Sequence, residues 1–308
     1  MEKVKQKINK RKRSRNLFFA AIVALPLLQF CVFYIYVNFE SIILAFRTYE
    51  PKLDSFGYDV SFAGTANFEW AIEKMKTFPF LFTNALKIFL IGVPISFVLA
   101  LMFSFYLYKK YFASGVFKVI LFLPQIISGL IFAVLFKYMV TDVYQTIVLK
   151  VSGKEVLGLL DNPDTRFGTL IFFNIWISFG VRVLMFSGSM SGIDPSIVES
   201  AQIDGVNVVQ EFIHITLPLI YPTILSFIII AVSDVMTGQY GLYNLFGRSA
   251  GDLQTIGYFL YLATLGADFV DTNPTYGQLS ALGLILTCIM VPVTLILRKV
   301  LKKVGPSD

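Results

Sequence analysis

The sequence predicts an all-α, polytopic membrane protein with six transmembrane helices, and three observations carry that prediction. The 308 residues are 56% hydrophobic and only 15% charged, whereas a soluble domain carries about a quarter charged residues. The apolar residues gather in runs of about 20, the length that crosses a bilayer core as a helix. Strict two-residue alternation is absent, which argues against an outer-membrane barrel. Backbone groups in lipid must be satisfied within the segment, so the runs are helices.

The chain opens with a basic tail, residues 1–16, in which MEKVKQKINKRKRSRN holds eight Lys or Arg. A secretory signal would begin the same way. The apolar run behind it is too long for such a signal, however, and no A-x-A-like cleavage site follows. It is therefore read as a retained first span, Leu17–Phe46, with an external loop completing residues 17–79. The further runs are Leu81–Tyr108, Val116–Val140, Phe167–Met190, Leu219–Gly238 and Gly277–Leu297, inside a core of residues 80–304, and residues 305–308 form the C-terminal end.

Charge orients the spans. Placing the tail in the cytoplasm puts Lys109, Lys110, Lys118, Arg298, Lys299, Lys302 and Lys303 on the same side, as the positive-inside bias requires. Both termini are then cytoplasmic. The net charge of +6 comes largely from the tails, where anionic lipid is the expected neighbour and no nucleic acid is implied. Cys31 and Cys288 fall inside predicted spans. They are expected to be small buried hydrophobes, with no disulfide framework or metal spacing.

Several chemistries lack support. The only Gly-Lys pair, Gly153-Lys154, has neither the upstream Gly nor the following Ser or Thr of an ATP-binding loop. His214 is the only histidine, so a metal site is not expected, and no GxSxG or HExxH supports an enzyme. A proton- or sodium-driven carrier would use intramembrane carboxylates. The candidates Glu40 and Asp234 lie near the outer ends of their runs, where interfacial water is the simpler environment. No internal repeat marks a secondary carrier. A standalone carrier or channel is the alternative class, and a membrane scaffold or insertase a third.

One polar island stands between the fourth and fifth runs: ESAQIDGVNVVQEFIHITLP, Glu199–Pro218. Asp194-Pro195 before it reads as an N-cap followed by Pro at the first helical position. Asp204-Gly205 closes that short helix, and Asn207 with Gln210 forms a capping box for a second. Val208, Val209, Phe212 and Ile213 give one apolar flank, and Glu199, Asp204 and Glu211 stand against no Lys or Arg. Segments that lie on lipid tend to be basic, so this helix-turn-helix knob suits a protein socket.

The knob resembles the EAA loop of ABC importer permeases: E-A-A, three residues, Gly, nine residues, I-x-L-P. Glu199, Ser200, Ala201, Gly205, Ile215, Leu217 and Pro218 stand at that spacing, with Ser200 in place of Ala. The likeness extends from about Phe80 to Val304 and includes FLPQIISGLIFAVLF, Phe122–Phe136. It is similar to the carbohydrate group, the maltose and glycerol-phosphate type, and to the first permease of the pair. The resemblance implies a type I permease fold with a cytoplasmic coupling helix between helices four and five. It implies a second homologous permease, two ATPase subunits that bind ATP-Mg, and an extracellular solute-binding protein, in a bacterial inner membrane. This chain itself would then need no cofactor and catalyse nothing. By position relative to the loop, Asn174 and Ser178 match sugar-cavity sites of maltose-type permeases, and Ser233, Asp234 and Thr237 fall in the corresponding region of the fifth span.

Asn174, Ser178 and Arg182 recur at four-residue spacing and share one helix face. An ion pair of Arg182 with Asp234 is disfavoured by a depth difference of about 14 Å, at about 1.5 Å per residue. Two readings of Arg182 stay open: snorkelling towards the cytoplasm, or facing the path and favouring an acidic or heavily hydroxylated sugar.

Overall fold

The computed structural model describes residues 2–51, 58–266 and 274–305. The chain divides into two compact units, Met1–Lys74 with Pro274–Ile285, and Met75–Asn273 with Leu286–Asp308.

In the first unit, α1 (Glu2–Phe30) runs through a π-helical stretch, Cys31–Tyr36, into α2 (Val37–Ala45). The spanning part, Arg15–Ala45, buries none of its most apolar window within the chain. A short antiparallel hairpin follows, β1 (Arg47–Pro51) and β2 (Tyr58–Phe62), with Arg47 opposite Phe62 and Pro51 opposite Tyr58. This hairpin is an addition to the all-α expectation, drawn from Thr, Tyr, Val and Phe, which favour a pleated surface. Helix α3 (Ala66–Thr77) fixes the corner between span and strand. Its buried Asn67 donates from Nδ2 to the carbonyls of Ala45 at 2.9 Å and Arg47 at 3.0 Å.

The second unit holds α4 (Pro79–Tyr108), α5 (Ser114–Ile126), α6 (Gly129–Tyr138), α7 (Tyr144–Ser152), α8 (Arg166–Ser191), α9 (Pro195–Ile203), α10 (Val208–Glu211), α11 (Leu217–Leu219), α12 (Tyr221–Ser233), α13 (Leu242–Phe246) and α14 (Ile256–Thr264). The last helix, α15 (Tyr276–Val304), contributes its start to the first unit and its remainder to the second. Among the described residues, five helices are long and apolar enough to cross a membrane. Six crossings result if the bent pair Val208–Leu219 and Tyr221–Ser233 counts as one.

Helices α4 and α8 form the centre of this unit. Gly92, Ser96, Ala100 and Ser104 make a buried stripe of small residues along α4. Gly92 faces Ile171, and the Ser104 hydroxyl donates to the Val183 carbonyl at 3.1 Å. Each contact joins residues 79 apart, so the two helices run parallel. Small residues permit this close approach where lipid gives no hydrophobic drive between helices. Two buried clusters flank the stripe. One gathers Phe132, Phe136, Leu170, Phe173, Tyr258 and Leu262. The other gathers Phe97, Phe105, Phe179, Phe186, Met190 and Ile220.

Three sequence expectations are corrected. The third run is not one helix: Ile127 and Ser128 turn extended, at ψ 142° and 132°, and α6 restarts at Gly129. Pro124 and Gly129 lie within six residues, and both are poor in a helix interior. The long apolar helix of this region is instead Gly129–Ser152. The fifth run keeps its helix only to Ser233, and its entry is bent by 68° at Ile220, between Pro218 and Pro222. Neither proline supplies a backbone N–H to carry the helix straight on. Lastly, Cys31 and Cys288 are exposed in the chain, because they sit on outward faces of α15 and of the stretch joining α1 to α2.

Helix α5 crosses α8 at Gly180, where an added Cβ would lie 2.5 Å from the Leu121 carbonyl oxygen. The Gln125 side-chain amide donates to the Ile177 carbonyl at the same crossing. Gly180→Ala is expected to push the helices apart and cost about 1–3 kcal/mol, the range for overpacking. Thermal unfolding of the purified protein in detergent checks this through a lowered Tm.

Candidate functional site

Two constellations take shape from the residues singled out in the sequence. The first is the knob between α8 and α12. The Asp194 carboxylate accepts from the Ser196 N–H at 2.9 Å, and Pro195 takes the first helical position of α9. The Ser196 N–H, then its hydroxyl, hold the Asp194 carboxyl below the usual carboxylate range. At the other end of α9, the Val206 N–H donates to the Ala201 carbonyl and the Gly205 N–H to the Gln202 carbonyl, at 3.0 and 3.1 Å. This paired closure requires a left-handed residue, and Gly205 supplies it at φ +80° with open space around its missing Cβ. Asn207 and Gln210 exchange both capping-box bonds, at 3.0 and 2.9 Å. The orphan backbone groups of both short helices are thus met locally, and the knob is stiff.

Ala201 is buried, Leu217 packs with Val198 and Phe212 on the cluster around Phe105 and Phe186, and Ile215 and Pro218 are half-buried. Glu199, Ser200 and Gly205 are exposed. So are Ile203 at 86% and Val209 at 65% of full exposure, with Val208 and Ile213 beside them. The outward face therefore combines aliphatic side chains with acidic ones.

Sequence reasoning counted Glu211 among the knob's acids, but the structure buries it at 3% exposure. The Lys109 ammonium at the end of α4 lies 2.5 Å from its Oε1 and 2.6 Å from its Oε2. Removing one partner of such a buried pair costs about 3–5 kcal/mol, because the other charge is left uncompensated. The two residues are 102 apart in the chain. The one signal available in the sequence was their shared placement on the basic, knob-bearing side.

The second constellation is a cavity of about 130 Å³ between α4 and α8, closed by Tyr240. Asn174, Ser178 and Arg182 all line it, opposite Gly92 and Ser96. Arg182 turns back along α8 and donates to the hydroxyls of Ser178, at 2.9 Å, and of Ser96. Its guanidinium carbon lies 5.3 Å from the centre of the Phe97 ring. It thus points towards the start of α8, away from the knob, and its hydrogen bonds go to serines rather than to Asp234. Asn174 donates from Nδ2 to the carbonyls of Leu170, at 2.9 Å, and Tyr240, at 2.8 Å. Tyr240 has a left-handed backbone at φ +54°, an uncommon state for an aromatic residue, and Asn174 helps to hold it.

Ser233 and Thr237 do not join this cavity. They line a separate one of about 240 Å³ against Leu286, Met290 and Thr294 of α15. Asp234 caps the end of α12. Among the described residues no group of three or more His, Cys, Asp or Glu could hold a metal ion.

A family model described as "Binding-protein-dependent transport system inner membrane component" matches residues 92–306. The arabinooligosaccharides transport system permease protein AraP of Bacillus subtilis is 27% identical over 281 residues, covering 87% of this chain and 83% of AraP. The lactose transport system permease protein LacF of Rhizobium radiobacter is 28% identical over 255 residues, covering 80% and 82%. Among solved structures, a chain of a bacterial ABC transporter involved in the import of the acidic polysaccharide alginate superposes with a TM-score of 0.73. It is 19% identical, with 96% of this chain and 99% of that one covered.

Asn174→Ala leaves the Tyr240 carbonyl without its donor. The expected cost is about 1–3 kcal/mol, that of one orphaned buried group. Ser178→Thr keeps the hydroxyl and is expected to leave stability close to wild type. Tm in detergent separates the two.

Proposed function

The chain belongs to the family of binding-protein-dependent transport system inner membrane components, and on that premise we propose that it couples ATP hydrolysis in partner subunits to the import of a sugar or oligosaccharide. The knob is the observation that supports this most directly. A stiff, doubly capped projection between α8 and α12 that shows Ile203, Val209, Glu199 and Asp204 to the outside suits a socket with an apolar floor and a basic rim. Two ATPase subunits that bind ATP-Mg would supply such sockets, one for this chain and one for a second, homologous permease. An extracellular binding protein would deliver the solute. The knob side, which also carries Lys109, would face the cytoplasm together with both termini. The parallel run of α4 and α8, with the single span Gly129–Ser152 between them, puts Lys109 and the knob on the same side, in keeping with that orientation.

Several features favour a carbohydrate. Relatives are named for arabinooligosaccharides and lactose. The cavity offers a hydroxyl, an amide oxygen and a guanidinium from Ser178, Asn174 and Arg182, groups that recognise sugar hydroxyls. At about 130 Å³ it is smaller than the roughly 300–1,000 Å³ of ordinary ligand pockets. A path completed by the second permease accounts for the shortfall, with Ser233, Asp234 and Thr237 contributing as the two chains rearrange.

Gly205→Asp tests the coupling assignment. Asp tolerates the left-handed conformation better than most residues, so the chain should still fold and assemble. A carboxylate added to the docking face is expected to lower binding-protein-stimulated ATP hydrolysis of the reconstituted complex by about tenfold or more, a loss of about 1.4 kcal/mol or more in docking. Wild-type stimulation in an assembled Gly205→Asp complex would remove the knob from the coupling route.

A further inference from the structure

The importer reading assigns the outward face of the knob to the ATPase and leaves the inward face unexplained. Glu211 lies on that inward face, outside the EAA spacing. Its partner Lys109 closes α4, with side-chain exposures of 16% for Lys109 and 4% for Glu211. The ammonium also lies 5.7 Å from the Phe105 ring centre and 5.9 Å from that of Tyr108. Phe105 packs in turn on Phe212 of the knob at 4.9 Å. Each charge sits where its helix favours it, the cation at the C-terminal end of α4 and the carboxylate in the first turn of α10.

This attachment differs in kind from the others. Helices α8 and α12 join the knob through the chain itself, so they follow it by covalent continuity. Helix α4 lies far away in sequence and can follow only through side-chain contacts. Yet α4 carries one wall of the cavity: Ile88, Gly92, Val93 and Ser96. From Lys109 to Ser96 is about 20 Å along one uninterrupted helix, at about 1.5 Å per residue.

We propose that Lys109 and Glu211 form a latch that makes α4 move with the knob, so that ATPase-driven displacement reaches the Ser96 wall of the cavity. They are positioning residues for coupling, and the proposal rests on the importer reading. The test uses the full complex with partner permease and ATPases in lipid nanodiscs, with Cys31 and Cys288 replaced by Ser. Nitroxide labels go on Val98 of α4 and His214 beyond α10, both exposed. Their separation is read by electron–electron resonance without nucleotide and after trapping with ATP and vanadate. In the wild type one narrow distance should persist in both states. In Lys109→Met and in Glu211→Gln the distance should change on trapping by about 2 Å or more, the scale of helix shifts in switching transitions. The charge-exchanged pair Lys109→Glu with Glu211→Lys should restore the wild-type behaviour. Single variants that keep the wild-type distance when trapped would overturn the latch, as would an exchanged pair that behaves like the singles. A wild-type complex that assembles but neither hydrolyses ATP nor traps vanadate would overturn the importer reading itself, and the latch with it.

Discussion

The contact of α4 with α8 is the constraint on which both constellations depend. Lipid is as apolar as Leu or Phe, so two spanning helices gain little from hiding side chains from it. They gain from close packing and from hydrogen bonds between them. Gly92, Ser96, Ala100 and Ser104 leave no bulk between the backbones, and the Ser104 hydroxyl adds a bond across the gap. The register follows from that stripe. It brings Ser96 beside Arg182, packs the Phe97 ring tilted against Phe186 with centres 6.0 Å apart, and carries the end of α4 to Glu211. Sliding one helix by a turn would separate all three pairs together.

Within that frame the polar groups divide into two kinds. In the cavity, Asn174 spends its amide N–H groups on backbone carbonyls, and Arg182 spends part of its donor capacity on two serines. Under the importer reading, the amide oxygen and the remaining guanidinium donors are the groups left for a solute. In the knob the caps are met within the knob, so on the same reading its outward face would meet a partner without first giving up internal bonds. One site keeps spare hydrogen-bonding capacity, and the other closes its own.

What the sequence made legible was local. A span announces itself by length and hydropathy. The knob announces itself by Asp194-Pro195, by Gly205 and by Asn207 with Gln210, each acting within a few residues. The face shared by Asn174, Ser178 and Arg182 follows from helical period alone. Features that depend on distant contacts were not legible. The pairing of Lys109 with Glu211 joins different helices, and the left-handed Tyr240 is held by a side chain 66 residues away. Ser233 and Thr237 line their cavity beside Leu286 and Met290 of α15, a juxtaposition of distant segments as well. The outward cysteines were misjudged for a related reason: hydropathy says that a residue is in the membrane, but not whether it meets lipid or protein. The break at Ile127 carried a visible signal in Pro124 and Gly129, overridden by the unbroken apolar run around them.

The 68° bend at Ile220 also has a mechanical meaning. A straight rod driven along its axis delivers its motion along that same axis. A rod with a fixed elbow works as a bell crank, and travel of one arm along its length becomes mostly sideways travel of the other. Pro218 and Pro222 leave the elbow without the donors that would let it straighten into continuous helix. Under the importer reading proposed above, a push on the arm Val208–Leu219 would displace Tyr221–Ser233 mostly across its own axis rather than along it. A lateral sweep of the second arm, with little travel along its length, is the stroke that such an elbow would deliver on that reading.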